Sequence, residues 1–299
     1  MQTLFRNYTK IAGITDDYFK VRSFLLNLGY SEFVYARWDW MATHGYLDKT
    51  AVGKIGLWEA EDEIVGVATF DTRLGIGYCL THPDYRELKE EMLKYAEDHL
   101  STPDGFEVVI PDTDLRFQEI AMRAGYVGSE EKEADSVFYI DKTPLDYELP
   151  EGFRITTLED DFNLLQYRRV LWKGFNHELK GEGLFRFSLE DELSAKEEML
   201  RPNVDLDLKI AVVSPEENFV SYCGMWYDPA VEFALVEPVA TDPEYRGLGL
   251  GKAAVLEGVR RVGLRGAKMA LVGSSQQFYY SIGFRPFATS TNWKKKQPK

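Results

Sequence analysis

A glycine-rich segment, Arg246-Gly247-Leu248-Gly249-Leu250-Gly251-Lys252, is the part of the sequence whose residue types and spacing indicate chemistry most directly. It follows a strand-like stretch at 232–241 and leads into a helix-like stretch at 249–264. Glycines at such a turn let several backbone N–H groups and the positive end of a helix dipole approach one point, because no Cβ atom blocks the way. This pattern predicts a diphosphate site, although a tight strand-to-helix turn with a purely structural role has the same pattern.

Two common phosphate-binding motifs do not fit this segment. A Walker loop needs Gly-Lys followed by Ser or Thr, whose hydroxyl holds magnesium, whereas Gly251-Lys252 is followed by Ala253. A dinucleotide fingerprint needs the spacing G-x-G-x-x-G, whereas the spacing here is G-x-G-x-G. The sequence therefore disfavours ATP hydrolysis and a Rossmann-type dinucleotide site.

A second motif, Phe278-Tyr279-Tyr280-Ser281-Ile282-Gly283-Phe284, lies downstream of the glycine-rich segment. Together with the spacing Pro243-x-x-Arg246-x-x-Gly249-x-Gly251, it resembles the GCN5-related N-acetyltransferase (GNAT) family, whose acetyl-CoA signature is Arg/Gln-x-x-Gly-x-Gly/Ala. The resemblance is good over residues 153–290 and degenerate over 1–141. It implies an α/β (α+β) fold of two tandem GNAT-like domains, each with a mixed, mostly antiparallel sheet flanked by helices. It also implies an acyltransferase that uses acetyl-CoA as co-substrate and no metal.

The same resemblance implies roles for individual residues. Tyr279 matches the family position that protonates the coenzyme A sulfur, and Glu237 matches a strand position where many relatives place a carboxylate that takes the amine proton. The backbone N–H of Val239 matches the usual donor to the thioester oxygen. The alternative for Tyr279 is that its ring only packs against other side chains. The alternative for Glu237 is that it is a solvated strand residue without a catalytic role. The cofactor-binding residues implied in this way are Val239, Ala240, Thr241, Arg246, Gly247, Leu248, Gly249, Leu250, Gly251 and Lys252.

Both motifs recur in the first half of the chain. Residues 82–86, His-Pro-Asp-Tyr-Arg, align with 242–246, Asp-Pro-Glu-Tyr-Arg, at an offset of 160, and 123–126 align with 281–284 at an offset of 158. Two matches in the same order predict a duplicated domain. Prolines and a glycine interrupt the pattern between the copies. The predicted organisation is a degenerate GNAT-like domain at 1–141, a linker at 142–152 and a catalytic GNAT domain with the acetyl-CoA site at 153–299.

The first copy lacks the residues that the implied chemistry needs. Lys89 and Glu91 stand where the second copy has glycines, and Ala121 stands in place of the tyrosine. Carboxylates at Glu87, Glu90 and Glu91 would repel a diphosphate by on the order of 1 kcal/mol per close pair. The first domain is therefore predicted to be non-catalytic, with a structural role or a role in shaping the acceptor site.

Charge and composition exclude several classes of function. The 299 residues carry a formal net charge of −14, of which −13 falls within residues 1–150, so neither a nucleic acid nor a membrane surface is a predicted partner. No apolar run is long enough for a membrane span, and a cytoplasmic location is expected. Two cysteines and four scattered histidines predict neither a disulfide framework nor a metal site.

The sequence thus predicts an N-acetyltransferase that moves an acetyl group from acetyl-CoA directly to a primary amine of a small molecule or peptide. The acidic first half favours a cationic acceptor. The alternative is a non-catalytic module that binds or senses acyl-CoA, which would have no need of Tyr279 or Glu237. The acceptor, the acyl-chain preference and the oligomeric state are not set by these motifs.

Overall fold

The computed structural model describes residues 3–295 and divides into two compact units. Unit 1 contains the residues up to Asp135 together with those from Phe287 onward, and unit 2 runs from Ser136 to Pro286. This division differs from the predicted boundaries, which placed 136–141 in the first domain and 287–299 in the second. The difference comes from strand pairing, because the residue pattern of a strand does not identify its partner.

Unit 1 contains five complete strands and four α-helices, and side-chain caps fix several helix starts. The Thr15 side chain accepts a hydrogen bond from the Tyr18 amide at the start of the first helix, and Asp114 accepts one from the Phe117 amide at the start of the fourth. The elements are β1 (Leu4–Asn7), α1 (Asp16–Leu28), α2 (Tyr35–Thr43), β2 (Gly56–Ala60), β3 (Glu63–Phe70), β4 (Ile76–Thr81), α3 (Lys89–Leu100), β5 (Glu107–Pro111), α4 (Leu115–Arg123) and β6 (Tyr126–Tyr139), the last of which continues into unit 2.

Unit 2 repeats this order of elements one for one. Its first helix is capped by the Asn163 side chain, and its second by a capping box between Ser188 and Asp191. The elements are β7 (Arg154–Thr157), α5 (Leu164–Gly174), α6 (Leu189–Met199), β8 (Lys209–Val213), β9 (Phe219–Trp226), β10 (Phe233–Thr241), α7 (Leu250–Leu264), β11 (Met269–Val272), α8 (Gln277–Ser281) and β12 (Arg285–Lys295). Short 3₁₀ turns precede α3 and α7, at Pro83–Leu88 and Pro243–Tyr245.

The last strand of each repeat completes the sheet of the other unit. In unit 1 the strand order is β1-β2-β3-β4-β5-β12-β6, and β12 runs antiparallel to β5 from Ser290 opposite Pro111 to Lys294 opposite Glu107. In unit 2 the order is β6-β11-β10-β9-β8-β7, and the end of β6 pairs antiparallel with β11. β4 pairs in parallel with β5, and β10 pairs in parallel with β11. The mixed, mostly antiparallel fold class is confirmed.

The segment between the two predicted domains belongs to unit 2. Leu145, Tyr147 and Leu149 pack against the core formed by α7 and the sheet. The Tyr147 hydroxyl also donates a hydrogen bond to Glu257 Oε2 at 3.0 Å. Residues 142–152 therefore form part of a packed surface rather than a free linker.

The sheet of unit 2 opens between β10 and β11. The two strands pair only at 233–235 with 269–271, whereas β10 continues to pair with β9 as far as Thr241. The β9 register shifts between Val236 and Val239, and the Glu237–Pro238 peptide bond in this irregularity is cis. The last residues of β10 thus have one edge that is not paired with β11.

Between residues 3 and 295, no helix is long and apolar enough to cross a membrane. In the same range, no three His, Cys, Asp or Glu side chains group as metal ligands would.

Candidate active site

A cavity of about 750 Å³ lies in unit 2 at the opening between β10 and β11. Its walls come from three parts of the chain: the end of α5, the junction from β10 into α7, and α8 with the residue before it. The lining residues are Gly174, Phe175, Asn176, Val239, Ala240, Thr241, Tyr245, Arg246, Gly247, Gly249, Leu250, Gly251, Lys252, Gln276, Phe278, Tyr279, Ser281 and Ile282.

The glycine-rich loop presents unpaired backbone donors to this cavity. Gly247 and Gly249 have φ values of 83° and 78°, in the left-handed region, and a Cβ at either position would meet no atom within 4 Å. The first backbone bond of α7 runs from the Ala253 N–H to the Gly249 carbonyl at 3.0 Å. The N–H groups of residues 250–252 therefore precede the hydrogen-bonding pattern of the helix itself, which leaves them available to an anion.

Gly251 is required by close packing rather than by its backbone conformation. A Cβ at this position would lie 3.0 Å from the Thr241 hydroxyl oxygen and 3.3 Å from the Phe278 ring. The absence of a side chain thus lets the first turn of α7 approach both the end of β10 and the start of α8. This contact brings the two sequence motifs to one place.

A buried carboxylate anchors the turn that precedes the loop. Asp242 is fully buried, its Oδ1 accepts a hydrogen bond from the Glu244 amide at 3.1 Å, and its Oδ2 lies 2.9 Å from the Lys173 ammonium. Lys173 also contacts the Glu244 carboxylate at 3.0 Å. Hydrogen bonds to these two carboxylates raise the pKa of Lys173 against the opposing effect of burial. The turn is thereby fixed to α5.

The Arg246 side chain ties the loop to the end of α5. Its guanidinium donates to the Gly174 carbonyl at 2.9 Å, to Asn176 Oδ1 at 2.7 Å and to the Thr241 carbonyl at 3.2 Å. Arg246 lines the cavity as expected from the sequence, but these side-chain bonds go to protein groups. The guanidinium therefore positions the loop, and the loop amides remain its candidate anion-binding groups.

Tyr279 lies in the same cavity with a protonated phenol. The residue is 7% exposed and packs edge-on against Phe278 and Phe284, with ring centroids 5.0 and 5.4 Å away. Burial, followed by the charges of Cys223 and Glu237, raises the pKa of Tyr279, so the hydroxyl keeps its proton at neutral pH. Within the described chain this hydroxyl has no hydrogen-bond acceptor, which leaves it free to donate into the cavity.

Glu237 lies close to this site but does not line the cavity. It is half-buried on β10, and its backbone carbonyl accepts a hydrogen bond from Trp226 Nε1 at 3.0 Å. Its negative charge raises the pKa of both Tyr279 and Cys223, which places the carboxylate within electrostatic range of them. If Glu237 accepts a proton, it therefore does so from outside the cavity that Tyr279 lines.

The structure brings most of the predicted site residues together and adds others. Of the predicted cofactor-binding set, only Leu248 is outside the cavity lining, and its side chain is 46% exposed. The residues that the sequence did not identify are at the end of α5 and around α8. One signal was present at Gly174, where a Cβ would lie 2.6 Å from the Ala240 Cβ and 2.8 Å from the Thr241 nitrogen. A glycine at the end of a helix can indicate that another segment approaches closely, but the sequence does not show which segment this is. The added residues are Gly174, Phe175, Asn176, Tyr245, Gln276, Phe278, Ser281 and Ile282.

Solved structures with the GNAT fold are similar to the whole chain. A GCN5-related N-acetyltransferase from Sphaerobacter thermophilus is 16% identical over 99% of this chain and 96% of that chain, with a TM-score of 0.59. A tandem GNAT protein from the clavulanic acid biosynthesis pathway is 13% identical over the full length of both chains, with a TM-score of 0.60. A GNAT-family acetyltransferase from Colwellia psychrerythraea is 12% identical over 98% of this chain and all of that chain, with a TM-score of 0.59. At these identities the similarity establishes the fold.

Among curated proteins, none is similar enough in sequence to this chain to count as a match.

The family model matches the same half of the molecule that contains the cavity. The model of the Acetyltransferase (GNAT) family matches residues 173–284, a stretch that lies within unit 2 and spans the loop, Tyr279 and the end of α5. Over this stretch unit 2 is similar to acetyltransferases of the GNAT family, and this similarity supports an acyltransferase.

Proposed function

We propose that unit 2 transfers an acetyl group from acetyl-CoA directly to a primary amine, and that the cavity between β10 and β11 holds the thioester. The observation that supports this most strongly is the presence of two complementary groups in one cavity. The cavity is lined both by a loop with free backbone N–H groups and by a buried, protonated tyrosine. A diphosphate bound at the loop would leave the acyl end of the same molecule near the phenol.

The chain supplies the binding groups along the unpaired edge of β10. The amides of residues 250–252, with the Lys252 ammonium beside them, suit a diphosphate. The edge of β10 from Val239 to Thr241 offers main-chain groups that can pair with the amides of pantetheine as a strand would. The Val239 N–H is our candidate donor to the thioester oxygen, where it would stabilise the charge that develops during attack.

In the transfer step, the nitrogen lone pair of the neutral amine attacks the thioester carbon and forms the C–N bond. Collapse of the tetrahedral intermediate breaks the C–S bond, and the sulfur leaves with the electron pair. Tyr279 donates its proton to that sulfur, and Glu237 receives the proton lost by the amine nitrogen through a water molecule. Return of this proton to the phenolate restores both residues.

Unit 1 is proposed to be non-catalytic. Its turn has no glycine at the position of Gly249, and Lys89 stands there instead, with its ammonium donating to the Cys79 carbonyl on β4. Cys79 is the counterpart of Val239 at the offset of 160. The side chain of Lys89 therefore occupies the place in unit 1 that corresponds to the edge of β10 in unit 2.

A screen of amines with acetyl-CoA tests the proposal. The purified chain is incubated with acetyl-CoA and a polyamine, an aminoglycoside or a lysine-containing peptide, while release of free thiol is monitored. We expect amine-dependent thiol release with one acetylated product per thiol. Acetyl-CoA binding by calorimetry without thiol release across a broad amine panel would instead support a binding or sensing module. Absence of acetyl-CoA binding would contradict both functions.

A further inference from the structure

Unit 1 contains a second cavity, of about 380 Å³, at the opening between β4 and β5. These two strands pair in parallel only at Ile76 with Glu107 and Gly77 with Val108, and then diverge as β10 and β11 do. The cavity is the counterpart of the unit 2 cleft, but its lining is different. The charged lining residues are Glu32, Arg86, Lys89 and Asp114.

Lys89 changes the shape of this cavity relative to that of unit 2. Its side chain is 9% exposed, its ammonium donates to the Cys79 carbonyl, and the nitrogen lies 4.4 Å from the centroid of the Phe117 ring. In the repeat, this position corresponds to a glycine of the loop in unit 2. The cavity of unit 1 is thus closed to a pantetheine chain and presents an ammonium group to whatever enters it.

A buried carboxylate at this cavity has an unused acceptor. The Glu32 side chain is 6% exposed, and its Oε1 accepts no hydrogen bond from residues 3–295. The Lys89 nitrogen lies 3.9 Å from Glu32 Oε1 and 3.8 Å from Asp114 Oδ2, so it is too far from either oxygen to form a hydrogen bond. Burial raises the pKa of Glu32 even though Lys89 opposes the shift. Lys89 is therefore an ion-pair partner of Glu32 but not a hydrogen-bond donor to it, and Oε1 is left without a hydrogen-bond donor among residues 3–295, which is unusual for a buried polar atom.

Arg86 supplies a free cation at the same cavity. In unit 2 the equivalent Arg246 is bonded to Gly174 and Asn176. The exposed guanidinium of Arg86 forms no hydrogen bond or ion pair with the described part of the chain. Arginine is suited to planar, two-point recognition of a carboxylate.

We propose that the unit 1 cavity binds a free amino acid, a small zwitterion whose ammonium group faces Glu32 and Asp114 and whose carboxylate faces Arg86 and Lys89. Two carboxylates and two cations line the cavity, and a zwitterion matches both signs at once. Glu32 and Asp114 share one cation, Lys89, and Arg86 has no acidic partner among the described residues, so a simple cation or a simple anion would complement only one of these two parts of the wall. The site is separate from the cleft of unit 2 and from the reaction proposed there.

Binding to the whole chain is the first test. Each of the twenty L-amino acids is titrated into the wild-type protein by calorimetry, up to about 10 mM, which is tenfold above a millimolar Kd. For an amino acid that binds, the corresponding decarboxylated amine and deaminated acid are titrated next. We expect saturable binding at one site, and roughly tenfold or greater weakening when either charged group is removed. The absence of any saturable binding, or equal affinity for the amine or the acid alone, would overturn the proposal.

Matched substitutions then locate the site. Glu32→Gln and Arg86→Gln should each weaken amino-acid binding by roughly tenfold or more, because each removes one charge-assisted contact. Glu90→Gln and Arg116→Gln change exposed residues of unit 1 outside the cavity lining, and they should leave the affinity unchanged. Thermal unfolding of each variant verifies that it is folded.

Competition distinguishes this cavity from the cleft of unit 2. Saturating acetyl-CoA should leave the Kd of the amino acid unchanged. An amino acid that binds with equal affinity to Glu32→Gln, or that acetyl-CoA displaces, would lie outside the unit 1 cavity, and the assignment would be wrong.

Discussion

The two strand-to-helix junctions of this protein, after β4 and after β10, start with similar residues at 82–86 and 242–246. The residues that follow differ in backbone conformation and in charge. In unit 2, Asp242 starts a 3₁₀ turn, and two glycines with left-handed backbone conformations, Gly247 and Gly249, lie between this turn and α7. In unit 1, His82 starts the corresponding turn, which runs directly into α3 through Leu88 in a right-handed helical conformation. The strands open in both units, so the framework for a cleft is present in each.

The two junctions differ at a few positions, and these positions decide which groups face the opening between the strands. Without glycines, the first turn of α3 carries Glu90 and Glu91, and the Glu91 carboxylate accepts a hydrogen bond from Trp58 Nε1 at 2.9 Å. Lys89 then fills the strand edge that is free in unit 2. Backbone donors in one unit are thus replaced by side-chain charges in the other.

The largest effect is expected from Gly249→Glu. This change puts a carboxylate beside the proposed diphosphate and a side chain at a φ of 78°, so acetyl-CoA binding should be lost in calorimetry. Gly125→Glu in unit 1 is the control, since Gly125 has a φ of 87° and open space around its Cβ position. Wild-type acetyl-CoA affinity in Gly249→Glu would show that the loop does not bind the coenzyme.

Tyr279→Phe separates catalysis from binding. Loss of the phenolic proton donor should lower kcat by roughly 100-fold while the Kd for acetyl-CoA changes little. Tyr280→Phe, at the neighbouring residue outside the cavity lining, should retain wild-type kcat. Unchanged turnover in Tyr279→Phe would remove this residue from the mechanism.

Arg246→Gln tests the link between the loop and α5. Loss of its bonds to Gly174 and Asn176 should weaken acetyl-CoA binding by roughly tenfold, because the loop amides are then no longer held in place. Arg86→Gln, at the equivalent position of unit 1, should not change the acetyl-CoA affinity. Equal effects of the two substitutions would indicate that both junctions contribute to coenzyme binding.

Glu32→Gln should have the smallest effect, and one that depends on pH. Burial raises the pKa of Glu32 in the folded state, so the unfolded chain loses this proton at a lower pH than the folded chain does. The carboxyl group therefore reduces the free energy of unfolding progressively as pH rises from the ordinary glutamate pKa to the raised value. The amide does not titrate, so the stability of Glu32→Gln relative to wild type should rise by on the order of 1 kcal/mol between about pH 4 and pH 7.5.

Denaturant unfolding of both proteins at the two pH values measures this difference. The exposed substitution Glu90→Gln serves as control and should show no such rise. A relative stability of Glu32→Gln that falls with pH would mean that Lys89 stabilises the charged carboxylate more than burial destabilises it.

The sequence predicted the duplication and most of the residues that line the cavity of unit 2, because both depend on local patterns. The glycine spacing indicated the turn at 246–252, and the second motif indicated that Tyr279 lies near it. The bonds of the Arg246 side chain could not be predicted, since spacing does not specify where a long side chain points. For unit 1, charge repulsion was predicted to exclude the coenzyme. The structure supports the same prediction on steric grounds, because Lys89 lies against β4.

Pairing partners were the other feature that the sequence did not contain. The residue pattern of a strand carries no information on which sheet receives it. Residues 136–139 pair with β11, and residues 290–294 pair with β5. The predicted domain boundaries therefore differ from the observed ones at both strands.

The position of β12 has a consequence for biosynthesis. While the ribosome is still translating unit 2, β5 has already been made, and the strand that pairs with it has not. During that interval the nascent chain carries an open β-edge, the kind of surface on which other chains aggregate. Expression of the first half alone would leave β5 without the strand that pairs with it in the full chain.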